Sequence, residues 1–193
     1  MPLKYDDNGN LIDAWLTRYG YDAQSRMVSI NGPGVAATYS YDAEDRRLSK
    51  TVDGVTTTYV WDGGDIIAEY NGSGNLIRRF VYGLGNAPAF AVSAAGSYRY
   101  FYVDHLGSVL AYGPRAAAVE VRQAYGPYGE GTLPATSDLR HGYAGHWWDA
   151  ETGLIYMRAR YYSRTLGLFM TPDPIGYSDG LNLYRYAGNS PES

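Results

Sequence analysis

Few residues in this 193-residue chain have the type and spacing that chemistry requires. The absence of cysteine removes a thiol nucleophile, a disulfide framework and a Cys-type zinc site. Asp104 and His105 are adjacent and Ser108 is close by, but Ser108 follows Gly107 outside any G-x-S-x-G frame, so a turn is the expected use. His141, His146 and Asp149 could be drawn around a metal ion. With Trp147 and Trp148 between them, sheet packing is the expectation, and neither a metal nor a cofactor is predicted. The run Asp6-Asp7-Asn8-Gly9-Asn10 looks like half a calcium loop, yet its glycine falls at the fourth place rather than the sixth, and no glutamate stands at the twelfth. The carboxylate best held for work is Asp173. Pro172 and Pro174 flank it, and proline fixes its own φ while pushing the residue before it toward extended geometry. A carboxylate so held does acid–base chemistry when a second one lies close, because the two cannot both ionise easily and divide into an acid and a base.

Composition says what must position such groups. The chain has 24 Gly and 21 Tyr, but only four Phe and four Trp. Tyrosine suits a pleated, half-buried surface, its ring on a cross-strand neighbour and its hydroxyl on water or backbone, while glycine supplies tight turns. The prediction is an all-β chain of many hairpins. A formal charge of −4 and a pI near 5.3 disfavour nucleic acid or an anionic membrane as partner. The longest small-apolar run, residues 87–96, is far short of the roughly 20 residues that span a bilayer, and the N-terminal residues contain no apolar signal core.

The hairpins are legible as a repeat. Tyr19-Gly20-Tyr21-Asp22, Tyr39-Ser40-Tyr41-Asp42 and Tyr59-Val60-Trp61-Asp62 recur twenty residues apart, and Arg26 and Arg46 fall in register behind the first two. Twenty residues at about 3.3 Å each hold two short strands and two turns, so each unit is expected to be one antiparallel hairpin. Degenerate copies flank these: residues 5–11 ahead, and residues 71–77 with Tyr82 behind. Their Asn-Gly and Gly-Asn pairs supply left-handed turn positions, and Leu-Ile re-enters the sheet.

The Y-x-[YW]-D spacing with its following Arg and G-N-L turns resembles the YD repeats of Rhs (rearrangement hotspot) proteins. From Tyr98 the chain is similar to the Rhs-associated core domain. Tyr98-Arg99-Tyr100-Phe101-Tyr102-Val103-Asp104-His105-Leu106-Gly107-Ser108 matches that domain's opening signature, and residues 123–130 its YDPFGE element, with Gly126 in place of the usual Asp and Tyr128 in place of Phe. Residues 112–119 depart from the usual turn, while residues 142–156 match the stretch ending in E-T-G-L-Y-Y. The segment 153–191 then resembles the domain's last part, from RARYY through PDPIG and GLNLYRY to an NNP-type tail. The implied organisation is YD-repeat hairpins over 1–97 and a core domain over 98–193, in one continuous unit. The implied fold is a strip of hairpins curling into part of a β-shell with an irregular, turn-rich C-terminal plug.

In that family a large shell encloses a C-terminal toxin, and cleavage just downstream is attributed to an arginine and an aspartate pair. By motif the arginine is Arg160 and the first aspartate Asp173. The second aspartate belongs to a DPxG beyond the tail, which the sequence does not reach, and Glu192 comes too early in the pattern to replace it. The expected roles here are therefore packing of Arg160 on the faces of Tyr156, Tyr161 and Tyr162, and turn formation by Asp173. Size argues in the same direction. About 16 strands spaced roughly 4.8 Å apart close into a ring about 25 Å across, too narrow for a folded cargo domain.

Three functions follow from the resemblance: a non-enzymatic shell and plug segment of a polymorphic toxin, an aspartate autoprotease lacking its second acid, or a cell-surface carbohydrate-binding module. The implied partners are a C-terminal toxin domain, further YD repeats, and secretion-system or cell-surface components, with carbohydrate as a further class. The implied location is secreted or at the cell envelope.

Overall fold

A computed structural model describes residues 2–114, 119–131 and 141–191. Thirteen strands form one antiparallel sheet in strict chain order: β1 (Lys4–Tyr5), β2 (Leu11–Ala14), β3 (Thr17–Tyr21), β4 (Met27–Gly32), β5 (Val35–Tyr41), β6 (Arg47–Val52), β7 (Val55–Asp62), β8 (Asp65–Asn71), β9 (Leu76–Tyr82), β10 (Pro88–Ser93), β11 (Tyr98–Val103), β12 (Val109–Gly113) and β13 (Val121–Arg122). Strand β10 pairs with β11, so the ladder runs unbroken past residue 97, and β12 pairs with β13 on either side of residues 115–118, which lie outside the described residues. A second antiparallel sheet holds β14 (Trp147–Asp149), β15 (Leu154–Met157), β16 (Arg160–Ser163) and β17 (Leu168–Phe169). The turn-rich end thus contains a small sheet before its irregular tail. No helix among the described residues is long and apolar enough to cross a membrane.

The repeat has a physical cause. A five-residue turn starts at Asp6, Asp22, Asp42, Asn71, Ser93, Asp104, Gly126 and Gly142. In each, the first amide donates to the fifth carbonyl and the fourth amide to the first carbonyl, a type I turn closed by a bulge. The fourth residue has positive φ, from 61° at Ser25 to 83° at Gly107. In most copies the first side chain accepts amides from the third and fifth residues, as Asp42 does from Glu44 and Arg46. Arg26 and Arg46 return the contact to Asp22 and Asp42 at 2.7 and 2.8 Å. Gly126 and Gly142 have no side chain to accept these amides, and at Gly126 another residue takes over. There the Glu130 carboxylate accepts the Tyr128 amide at 2.8 Å, and a Cβ on Gly126 would sit 2.4 Å from it. The missing aspartate is replaced by a glutamate from the other end of the turn.

In five units the aromatic before a turn latches the unit to the one before it. The Tyr21, Tyr41 and Tyr82 hydroxyls and the Trp61 indole N–H donate to the carbonyls of Leu11, Met27, Ile66 and Arg47 respectively, at 2.6–3.0 Å. Tyr125 repeats the contact on Val109. Leu11, Met27, Arg47 and Val109 are each the first residue after a five-residue turn, and Ile66 is the second residue of β8. Register shifts fall at Gly20/Tyr21, Ser40/Tyr41 and Val60/Trp61, where the bulge re-aims the ring.

One face of the long sheet packs onto the small one. Leu11, Met27, Ile30, Tyr39, Tyr59, Ile66 and Phe80 bury against Trp147, Leu154, Tyr156, Tyr161 and Met170. Strand alternation turns Trp148, Ile155 and Tyr162 the other way, onto a cluster with Tyr143 and Tyr186. The four-stranded sheet is therefore covered on both sides. The tail returns to the N-terminal end, where the Leu11 amide donates to the Met170 carbonyl and the Tyr184 hydroxyl to the Gly9 carbonyl.

Candidate functional site

Arg160 and Asp173 meet. Strand β16 presents Arg160 and the Pro172-Asp173-Pro174 turn presents the carboxylate, with Arg160 Nη2 2.9 Å from Asp173 Oδ2. Two further contacts fix the turn: the Asp173 amide donates to the Leu183 carbonyl, and Asp173 Oδ1 accepts the Ile175 amide at 3.1 Å. The guanidinium lies 3.6 Å from the centre of the Phe169 ring, so Phe169, rather than Tyr156, Tyr161 or Tyr162, supplies its packing face. Burial pulls the Arg160 pKa down, and the Asp173 charge opposes that. Arg160 Nη1 is enclosed and has no acceptor among the described residues. Beside the pair is a cavity of about 200 Å³ between the Asp22–Arg26 turn of the long sheet and Arg160, Pro172 and Pro174. The pair is one carboxylate and one cation, and the cavity beside it is also lined by Asp45, Arg26 and Arg158. Glu192 lies outside the described residues.

The other sequence candidates separate. Asp104 accepts the Leu106 and Ser108 amides and Ser108 Oγ accepts the Ala144 amide, so Asp104 and Ser108 are turn and junction residues. Asp6 does the same with Asn8 and Asn10. His141 lies 3.0 Å from the Tyr82 hydroxyl and packs edge-on to Phe80 and Trp147. Asp149 is drawn away from both histidines. Fully buried, it is bound by both terminal nitrogens, Nη1 and Nη2, of the Arg47 guanidinium and, at 2.8 Å, by Lys50 Nζ.

That ionic centre was missed in the sequence, and it joins the two sheets. Arg47 and Lys50 come from β6, while Asp149 and Glu151 come from the end of β14 and the turn after it; Lys50 lies 2.6 Å from Glu151. The rings of Tyr39, Tyr59, Tyr156 and Tyr161 surround the Arg47 guanidinium at 4.4–5.9 Å. Tyr161 accepts from Arg47 Nη1 at 2.8 Å and Tyr156 from the Arg47 amide at 3.0 Å. Burial alone would push the Asp149 carboxyl up; Arg47 and Lys50 overcome it and hold it below the usual carboxylate range. Burial likewise opposes the Arg47 charge and Asp149 outweighs it, raising the guanidinium pKa further. One signal was available. The position after each turn is apolar in its neighbours, Leu11, Met27 and Val109, and only the second clear repeat puts an arginine there.

Comparison with known proteins agrees with this architecture. The teneurin YD-shell family matches residues 1–192. The tRNA(Glu)-specific nuclease WapA of Bacillus subtilis subsp. natto is 32% identical over 202 residues, covering 98% of this chain and 9% of the relative. The toxin subunit YenC1 of Yersinia entomophaga is 37% identical over 100 residues, 48% of this chain and 10% of that protein. The solved Tc holotoxin pore of Photorhabdus luminescens superposes with a TM-score of 0.77 at 21% identity, over 97% of this chain and 10% of that one. The chain thus spans about a tenth of the length of these relatives.

Proposed function

Because the chain belongs to the teneurin YD-shell family, we propose that it is a shell and plug segment of a toxin of the Rhs type, one that encloses and delivers a C-terminal toxin domain. The observation that carries the reading is the occupation of the long sheet's inner face by the β14–β17 sheet. A cargo needs further turns of the strip, and β1 and β13 are the sheet's two outermost strands, on which more strands can pair. In this reading residues 98–193 are the Rhs-associated core domain and residues 1–97 the last YD repeats before it. The partners are the toxin domain, further repeats and the secretion or cell-surface components that carry the assembly out of the cell. The test is a chimera in which this chain replaces the matching region of the Bacillus WapA relative. The expected result is a C-terminal domain that stays resistant to added protease; a well-folded chimera whose C-terminal domain is digested at the rate of the free domain would overturn the proposal.

A second reading is favoured by the 2.9 Å Arg160–Asp173 pair and the enclosed Arg160 nitrogen beside it. Here the pair is two-thirds of an aspartate self-cleavage site whose second carboxylate arrives from a downstream DPxG. A chain lengthened through such a motif should show one clipped product by intact mass, lost in Asp173→Asn. An uncut lengthened chain would remove this reading.

A further inference from the structure

The seam between the two sheets contains a small cavity with two histidines. His146 ends the Gly142–His146 turn immediately before β14, and it lines a cavity of about 40 Å³, enough for about one water molecule. The titratable and charged groups facing that cavity come from both sides of the seam. Asp65 and Tyr82 belong to the long sheet, and His141, His146, Tyr156 and Arg158 come from the plug side. Its one carboxylate among the described residues, Asp65, already faces Arg158 at 3.4 Å, and the Tyr82 hydroxyl already faces His141. A second positive charge placed here would lose part of its hydration and stand beside Arg158, with Asp65 already shared between them. The backbone is also close, since a Cβ on Gly145 would lie 2.8 Å from the Ala87 nitrogen, so the turn cannot tilt away without parting from β10's entry.

We propose that His146 is an acid trigger for the seam, its protonation beside Arg158 loosening the plug from the turns around β8 and β9. The proposal rests on the plug reading above and adds regulation to it. Burial, with the Arg158 charge second, pushes the His146 pKa down to about 4 from 6.5. The folded value lies below the unfolded one, so the contribution to stability is whole above about pH 6.5 and is lost as the pH falls toward 4. Between pH 7 and pH 5 this linkage enlarges the opening equilibrium about 20-fold.

Hydrogen exchange on the whole 193-residue chain at both pH values, corrected for intrinsic rates, reads this opening directly. Peptides covering residues 62–68 and 141–158 should lose about 20-fold in protection at pH 5 while β3–β5 keep theirs. His146→Phe should abolish the loss and His141→Phe should leave it in place; if the phenylalanine at 146 prevents folding, His146→Gln serves. A pH 5 loss that survives in the 146 variant, or one spread evenly over all strands, overturns the trigger. A seam that opens on cue in a longer shell whose C-terminal domain is already digested at pH 7 at the rate of the free domain would leave the trigger standing and overturn the plug reading instead.

Discussion

The long sheet and the plug are held by different kinds of bond. In the sheet, each stabilising contact reaches a neighbour: a turn carboxylate binds amides two and four residues on, and an aromatic donor reaches 10 to 16 residues back. In the plug, the decisive contacts span the chain, with Arg47 bound to Asp149 across 102 residues and Tyr184 to Gly9 across 175. The sheet is a sum of similar small terms and the plug depends on a few large ones. This difference predicts how each responds to damage.

The sharpest break is at the ionic centre. Asp149→Asn leaves Arg47 buried without a counter-charge and Lys50 with Glu151 alone, and is expected to cost about 3–5 kcal/mol, read as a shift in the urea midpoint. Replacing the three together with Leu at 149 and Met at 47 and 50 should recover most of that loss; if it does not, the centre is more than charge compensation. The latches come next. Tyr21→Phe and Tyr41→Phe each strand a carbonyl and should cost about 1–2 kcal/mol, by similar amounts because the geometry repeats. Widely unequal costs would show that the units are not equivalent. Smaller still is the variant turn: Gly126→Asp drives a second carboxylate into Glu130 and is expected to cost about 1 kcal/mol, and adding Glu130→Ala should return it. At the bottom is the exposed Lys4–Asp13 pair, where Lys4→Ala should move stability by less than about 0.5 kcal/mol.

The same difference explains what could be read in advance. The hairpin strip was legible because its chemistry is written within each unit: Tyr41, Asp42 and Arg46 are within five residues of one another. Arg160 and Asp173 were legible through motifs thirteen residues apart, and they do meet. Arg47, Lys50 and Asp149 were not, because a buried salt bridge between distant strands leaves no local period, and Asp149 drew notice only through the histidines beside it. The packing partner of Arg160 was misassigned for a related reason. Phe169 reaches it from β17, across the β16–β17 pairing, whereas the tyrosines on its own hairpin point above and below the sheet.

The backward reach of the latch gives assembly a direction. A hydroxyl that needs the carbonyl behind it can be satisfied the moment its own hairpin emerges from the ribosome, because its acceptor was made first. The latches can therefore keep pace with translation, each rung clasping a finished one, while the leading end is completed only when Met170 and Tyr184 arrive at Leu11 and Gly9.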